Sequence, residues 1–112
     1  MGDELALIAD REATVEEWAQ CAGSILGGSQ VRVFEHVTTQ LCDPEGRGVL
    51  AYWPARYLEN RRLAVATVGD AAADGAMWTD VCLRYADPVR GRAVLAAVAE
   101  RVGGAIVDRS GR

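Results

Sequence analysis

The stretch VCLRYADPVRGRAVLAAVAERVGGAIV, residues 81–107, reads as strand, capped helix, glycine stop and strand in immediate succession. Asp87 followed by Pro88 marks the helix start, because an aspartate oxygen can accept from the free N–H groups of a first turn and the proline ring is preset for the first helical position. Gly91, Leu95, Val98, Ala99 and Val102 recur at helical spacing and make one packing stripe. Gly103-Gly104 ends the helix, since glycine takes the left-handed cap conformation at little cost. Ala105-Ile106-Val107 then begins a new strand. Upstream, Met77, Thr79, Val81, Leu83 and Tyr85 alternate with Trp78, Asp80, Cys82 and Arg84, the period of a strand whose two sides differ in polarity.

The same order of signals occurs at the other end of the chain, LALIADREATVEEWAQCAGSILGGSQVRV, residues 5–33. Leu5-Ala6-Leu7-Ile8-Ala9 suits a buried strand. Thr14 stands three residues before Glu17, the spacing of a capping box, so a helix begins at Val15. Trp18, Cys21, Ala22 and Ile25 form its stripe, and Gly27-Gly28 its stop. Residues 30–42 read as one long strand, with Val31, Val33, Val37, Thr39 and Leu41 on one side. Arg32, Phe34, His36, Thr38 and Gln40 take the other. Asp43-Pro44-Glu45-Gly46 fits a type I turn, and a return strand runs from Val49 to Trp53, where Pro54 cannot extend the ladder. Residues 55–62 read as a loop with room for one helical turn, and 63–68 as a further strand.

The order β-α-β-β-β-β-α-β predicts an α+β, two-layer sandwich: a mixed or antiparallel sheet with two helices packed on one face, formed by residues 1–112 as a single domain. In length and topology this resembles small ferredoxin-like dimers, some of them regulators and some monooxygenases. The resemblance is one of architecture, and architecture does not imply function.

Composition narrows the function further. The 112 residues are half hydrophobic and one quarter charged, as in one ordinary globular domain. All twelve basic residues are arginine, and the formal net charge is −4. A net negative chain without clustered cations disfavours nucleic acid as a partner; Arg61-Arg62 with Arg56 is the nearest approach to a patch and reads as a solvated loop. No apolar run approaches the roughly 18 residues of a membrane helix, and the acidic opening Met1-Gly2-Asp3-Glu4 is unlike a secretion signal. A cytoplasmic location follows as the expectation. Cys21, Cys42 and Cys82 are odd in number and widely spaced, which suits neither a disulfide framework nor a zinc knuckle.

No catalytic residue, cofactor or metal site is expected. His36 is the single histidine; Cys42 lies on the same side of the long strand, but six strand residues span about 20 Å, too far for a nucleophile–base pair. Asp10, Glu12, Asp70, Asp74 and Asp80 lack calcium-loop spacing. Both Gly-Gly pairs follow helices, whereas phosphate-binding glycines precede them. Aromatic and arginine side chains carry more information. Tyr52, Trp53, Arg56 and Tyr57 surround Pro54, and Trp78 shares a strand side with Arg84; Tyr, Trp and Arg dominate binding hot spots because they join broad contact area to directional bonds. These residues are expected to form one partner-binding face, unless Trp53 and Trp78 complete the core. The primary reading is a non-enzymatic interaction module, an inhibitor or immunity-type protein that neutralises a basic partner enzyme or toxin, or one that pairs with itself as a homodimer. The alternative is a small-molecule-binding domain or a cofactor-free ferredoxin-like enzyme or regulator, with a pocket lined by Phe34, His36, Tyr52 and Trp78.

Overall fold

A computed structural model describes residues 4–35, 37–57, 77–83, 85 and 87–108. Within them the order is β1 (Glu4–Ala9), α1 (Val15–Leu26), β2 (Gln30–Phe34), β3 (Thr38–Cys42), β4 (Gly48–Tyr52), β5 (Arg56–Tyr57), β6 (Met77–Cys82), α2 (Pro88–Val102) and β7 (Ala105–Asp108). The strands lie in the order β2-β3-β4-β6-β1-β7, with β5 also on β6, and every neighbouring pair is antiparallel. Both helices pack on one face of this sheet and on each other. The expected α+β two-layer architecture is therefore present, and its sheet is antiparallel. Taken alone, β4-β6-β1-β7 with the two helices has the split βαβ order of ferredoxin-like folds; the β2–β3 hairpin extends that sheet at one edge.

The helix ends are built by the residues that announce them. The Thr14 hydroxyl accepts from the Glu17 N–H at 3.1 Å and the Glu17 carboxylate accepts from the Thr14 N–H at 2.9 Å. Arg11 joins that carboxylate through both oxygens at 2.7 Å, and this ion pair, with the Thr14 N–H, pushes the Glu17 carboxyl down to about 2. Asp87 accepts from the Arg90 N–H at 3.0 Å, and Gly27 and Gly103 close their helices in the left-handed conformation, φ 75° and 65°.

One expectation is corrected. Residues 30–42 are not one strand but a hairpin, β2 turning into β3, with Phe34 opposite Thr38. The break comes at Glu35, which adopts φ 53°, and the Val37 N–H then donates to the Phe34 carbonyl at 3.1 Å. The loop expected over 55–62 also contains a short strand, β5. The strand expected over 63–68 lies outside the described residues.

The β3–β4 turn is fastened harder than its sequence indicates. The Asp43 carboxylate is buried and accepts from the Arg47 N–H at 2.9 Å, the Glu45 N–H at 3.0 Å and the Arg47 guanidinium at 3.0 Å. The Arg47 backbone N–H is the largest influence holding this carboxyl below its ordinary range. Arg90 of α2 approaches within 3.6 Å, so the turn and the helix start share one anchor.

The sheet is buried on both sides at its centre. Facing the helices, Leu5, Leu7, Ala9, Leu41, Leu50, Tyr52 and Val81 pack against Trp18, Ala22, Val94, Leu95 and Val98. Trp18 stacks on Tyr52 with ring centroids 4.3 Å apart and planes 12° from parallel. On the opposite side Ala6, Ile8, Ala51 and Trp78 are buried as well. The edge strand β2 contrasts with this, all five of its residues being exposed.

Candidate functional site

Strand geometry separates the residues grouped above on the basis of sequence. Tyr52 pairs with Val81 and faces the helices, whereas Trp78, three residues from Val81 along β6, faces away. Tyr52 is a core ring. Its phenol is pushed above its ordinary value by burial, and Thr39, directly across on β3, tempers that rise without reaching hydrogen-bond geometry. Trp78 is also buried, across from Ile8. Both therefore belong to the interior, on opposite sides of the sheet. Arg84 and His36 lie outside the described residues.

What remains at the surface is the segment from Trp53 to Tyr57, and it is held at several points. The Trp53 N–H donates to the Asp80 carbonyl at 3.1 Å. After Pro54, the Ala55 N–H donates to the Glu12 carboxylate at 2.8 Å, tying the segment to the turn before α1. Arg56 pairs with Trp78 in the ladder and Tyr57 with Met77. The Arg56 guanidinium sits 5.5 Å from the Trp78 ring centroid and 3.5 Å from the Asp80 carboxylate, which in turn accepts from the Trp78 indole N–H at 2.8 Å. The buried indole thus orients the acid, and the acid orients the exposed cation. Cation–π attraction and the ion pair act together to keep Arg56 over the ring.

On this frame Tyr57 is 73% exposed and Trp53 36%. Tyr57 turns with Met77 toward the helix side and Arg56 with Trp78 toward the other, so the segment presents both around the outer side of β5, beside which no described strand lies. A phenol, an indole and a guanidinium fixed by backbone bonds can do what hot-spot residues do: bury apolar area and donate directed hydrogen bonds without ordering a loop first.

The pocket envisaged from Phe34, His36, Tyr52 and Trp78 is not assembled from its described members. Phe34 stands on the edge strand, three strands from Trp78, which is about 14 Å at the usual strand spacing, and Tyr52 is on the other face. One concavity among the described residues lies elsewhere, a groove of about 330 Å³ between α1 and α2 lined by Cys21, Ser24, Ile25, Ala97, Glu100 and Arg101. Arg101 is engaged there by the Gln20 side-chain oxygen at 2.6 Å. Burial pushes the Cys21 and Cys42 thiols up, away from the thiolate form that a nucleophile needs. Among the described residues no three His, Cys, Asp or Glu side chains are placed to hold a metal ion, and no helix is long and apolar enough to cross a membrane.

Sequence reasoning missed two participants, Glu12 and Asp80. It noted both only as carboxylates without calcium-loop spacing, and the fold shows that they fasten Ala55 and Arg56. No protein-family model, curated protein or solved structure matches this chain.

Proposed function

We propose that the chain is a cytoplasmic, non-enzymatic interaction module of the inhibitor or immunity kind, which engages a basic protein partner through Trp53, Arg56 and Tyr57. The observation that carries this reading is the exposed Tyr57 and Trp53 on a segment held by Asp80 and Glu12. Leaving such rings in water forgoes their burial energy, about 1.5–3 kcal/mol for a large side chain, which a partner would recover. The net charge of −4 favours encounter with a basic partner over an acidic one.

Capture from the native host's lysate tests it, with the immobilised chain and its Tyr57→Ser and Trp53→Ser variants compared against Val89→Ser, a change at an exposed site on α2. The expected result is a basic protein retained by the wild type and by Val89→Ser. Truncating a hot-spot ring costs about 2 kcal/mol or more, roughly thirtyfold in affinity, so both surface variants should lose it. A capture profile unchanged by either substitution would remove the basis of the reading. Retention of a small metabolite instead, insensitive to Tyr57→Ser, would support the alternative of a ligand-binding domain, with the groove between α1 and α2 as its place.

A further inference from the structure

We infer that β2 is a pairing edge for a second copy of this chain, giving a two-fold dimer in which the sheet continues from β2 into the partner's β2. This goes beyond the binding surface at Trp53–Tyr57 and does not depend on it.

The inference starts from the outer side of β2, which no described strand occupies. The Phe34 carbonyl is turned inward, accepting from the Val37 N–H. Alternation along the strand then turns the backbone groups of Val33 and Val31 outward, where they present donors and acceptors with no described strand to receive them. Monomeric proteins blunt such an edge with charged side chains, proline, a bulge or a covering element, and of these the strand itself carries one charge, Arg32. Here β2 reads Gln-Val-Arg-Val-Phe, it pairs with β3 in unbroken register, and Val33 and Phe34 are 60% and 48% exposed. The far edge is different: β7 is shorter, partly buried and ends at Asp108.

The side chains say which partner fits. A two-fold axis perpendicular to the sheet keeps each face continuous, so residues directly opposite one another must come from the same face. Centring the axis on Val33 sets Val33 against its own copy on the helix side and Arg32 against Phe34, twice, on the other. Each Arg32 then stands directly across from a Phe34, and no like charges are opposed. Moving the axis to Arg32 would set the two guanidinium groups against each other, a like-charge repulsion that disfavours that register. Of these two registers the one centred on Val33 makes the strand complementary to itself, as an isologous interface requires.

Sedimentation velocity on the full chain, followed by symmetry-directed cross-linking, tests the inference. The wild type and the Tyr57→Ser variant should both sediment at twice the 12.0 kDa of one chain. Val33→Lys, which sets two cations face to face, should weaken the dimer tenfold or more. Directly opposite strand residues exchanging hydrogen bonds have Cα atoms about 5.5 Å apart, within disulfide range. Val33→Cys should thus form an intermolecular disulfide under mild oxidation in higher yield than Arg32→Cys. A wild-type chain that stays monomeric at crystallisation concentrations overturns the inference, as does a dimer indifferent to Val33→Lys or one that cross-links better through position 32. All of these readouts are made without a partner protein, so their failure is separate from any failure of capture through Tyr57.

Discussion

Replacing Trp18 by alanine is expected to cost about 3–5 kcal/mol of folding stability, the range for deleting a buried aromatic from a well-packed site. The ring is almost completely enclosed, and it lies between the first helix and the Tyr52 ring of β4. Its removal leaves a cavity bounded by the sheet on one side and by α1 on the other, and an aliphatic neighbourhood cannot collapse across that gap without tilting the helix. Domains of this size hold on the order of 5–15 kcal/mol in all, so the loss is a large share of the total. Urea denaturation should show a lower midpoint with an unchanged slope. A double cycle with Tyr52→Ala should give a coupling of about 0.5–1.5 kcal/mol beyond burial, as for stacked aromatic pairs. A loss below about 1 kcal/mol, the level of an ordinary surface change, would mean that Trp18 does not join α1 to the sheet.

Substituting Gly91 by valine should destabilise the fold by about 1–3 kcal/mol through overpacking. The helix α2 crosses β4 so closely at this position that a β-carbon would stand 2.7 Å from the Val49 carbonyl oxygen and 3.1 Å from the Leu83 side chain. The first of these is backbone and cannot rotate aside. Even Gly91→Ala should lose stability, although alanine exceeds glycine by about 1 kcal/mol in intrinsic helix propensity. Gly23 provides the control. It is also helical, but a β-carbon there meets only the Ser29 hydroxyl at 3.9 Å. Gly23→Ala should therefore gain up to about 1 kcal/mol from propensity. Opposite signs at the two glycines, read by thermal unfolding, would locate the close approach; equal gains at both would show that α2 does not contact β4 as described.

The parts of this fold that were legible in the sequence are those set by local chemistry. Thr14 with Glu17, Asp87 with Pro88 and the glycines at 27 and 103 each act within a few residues of themselves, and each does what its side chain dictates. The turn at Asp43 is local too, although the burial of its carboxylate beneath α2 is not. The hairpin between β2 and β3 escaped because its turn contains none of the residues that advertise one. Glu35 takes the left-handed conformation without being glycine or asparagine, and the apolar alternation of Val31 and Val33 resumes at Val37 in the same phase, which imitates an unbroken strand.

The candidate surface was legible only in part, for two physical reasons. Adjacent strand residues face opposite ways, so Tyr52 and Trp53 could not both join one face, and Tyr52 went to the core. Trp78 does lie on the side that alternation assigns, but alternation says which way a ring points and not whether anything covers it. Asp80 and Glu12 become informative only when β6 and the turn before α1 are brought beside Ala55 and Arg56.

Recognition through Trp53 and Tyr57 requires that the chain's other two tryptophans be consumed by its interior. Acrylamide quenching of the three single-tryptophan proteins, made by tryptophan-to-phenylalanine changes at the other two positions among 18, 53 and 78, tests this directly. The account predicts ready quenching of Trp53 fluorescence and strong protection of Trp18 and Trp78. A protected Trp53 beside a freely quenched Trp78 would contradict it.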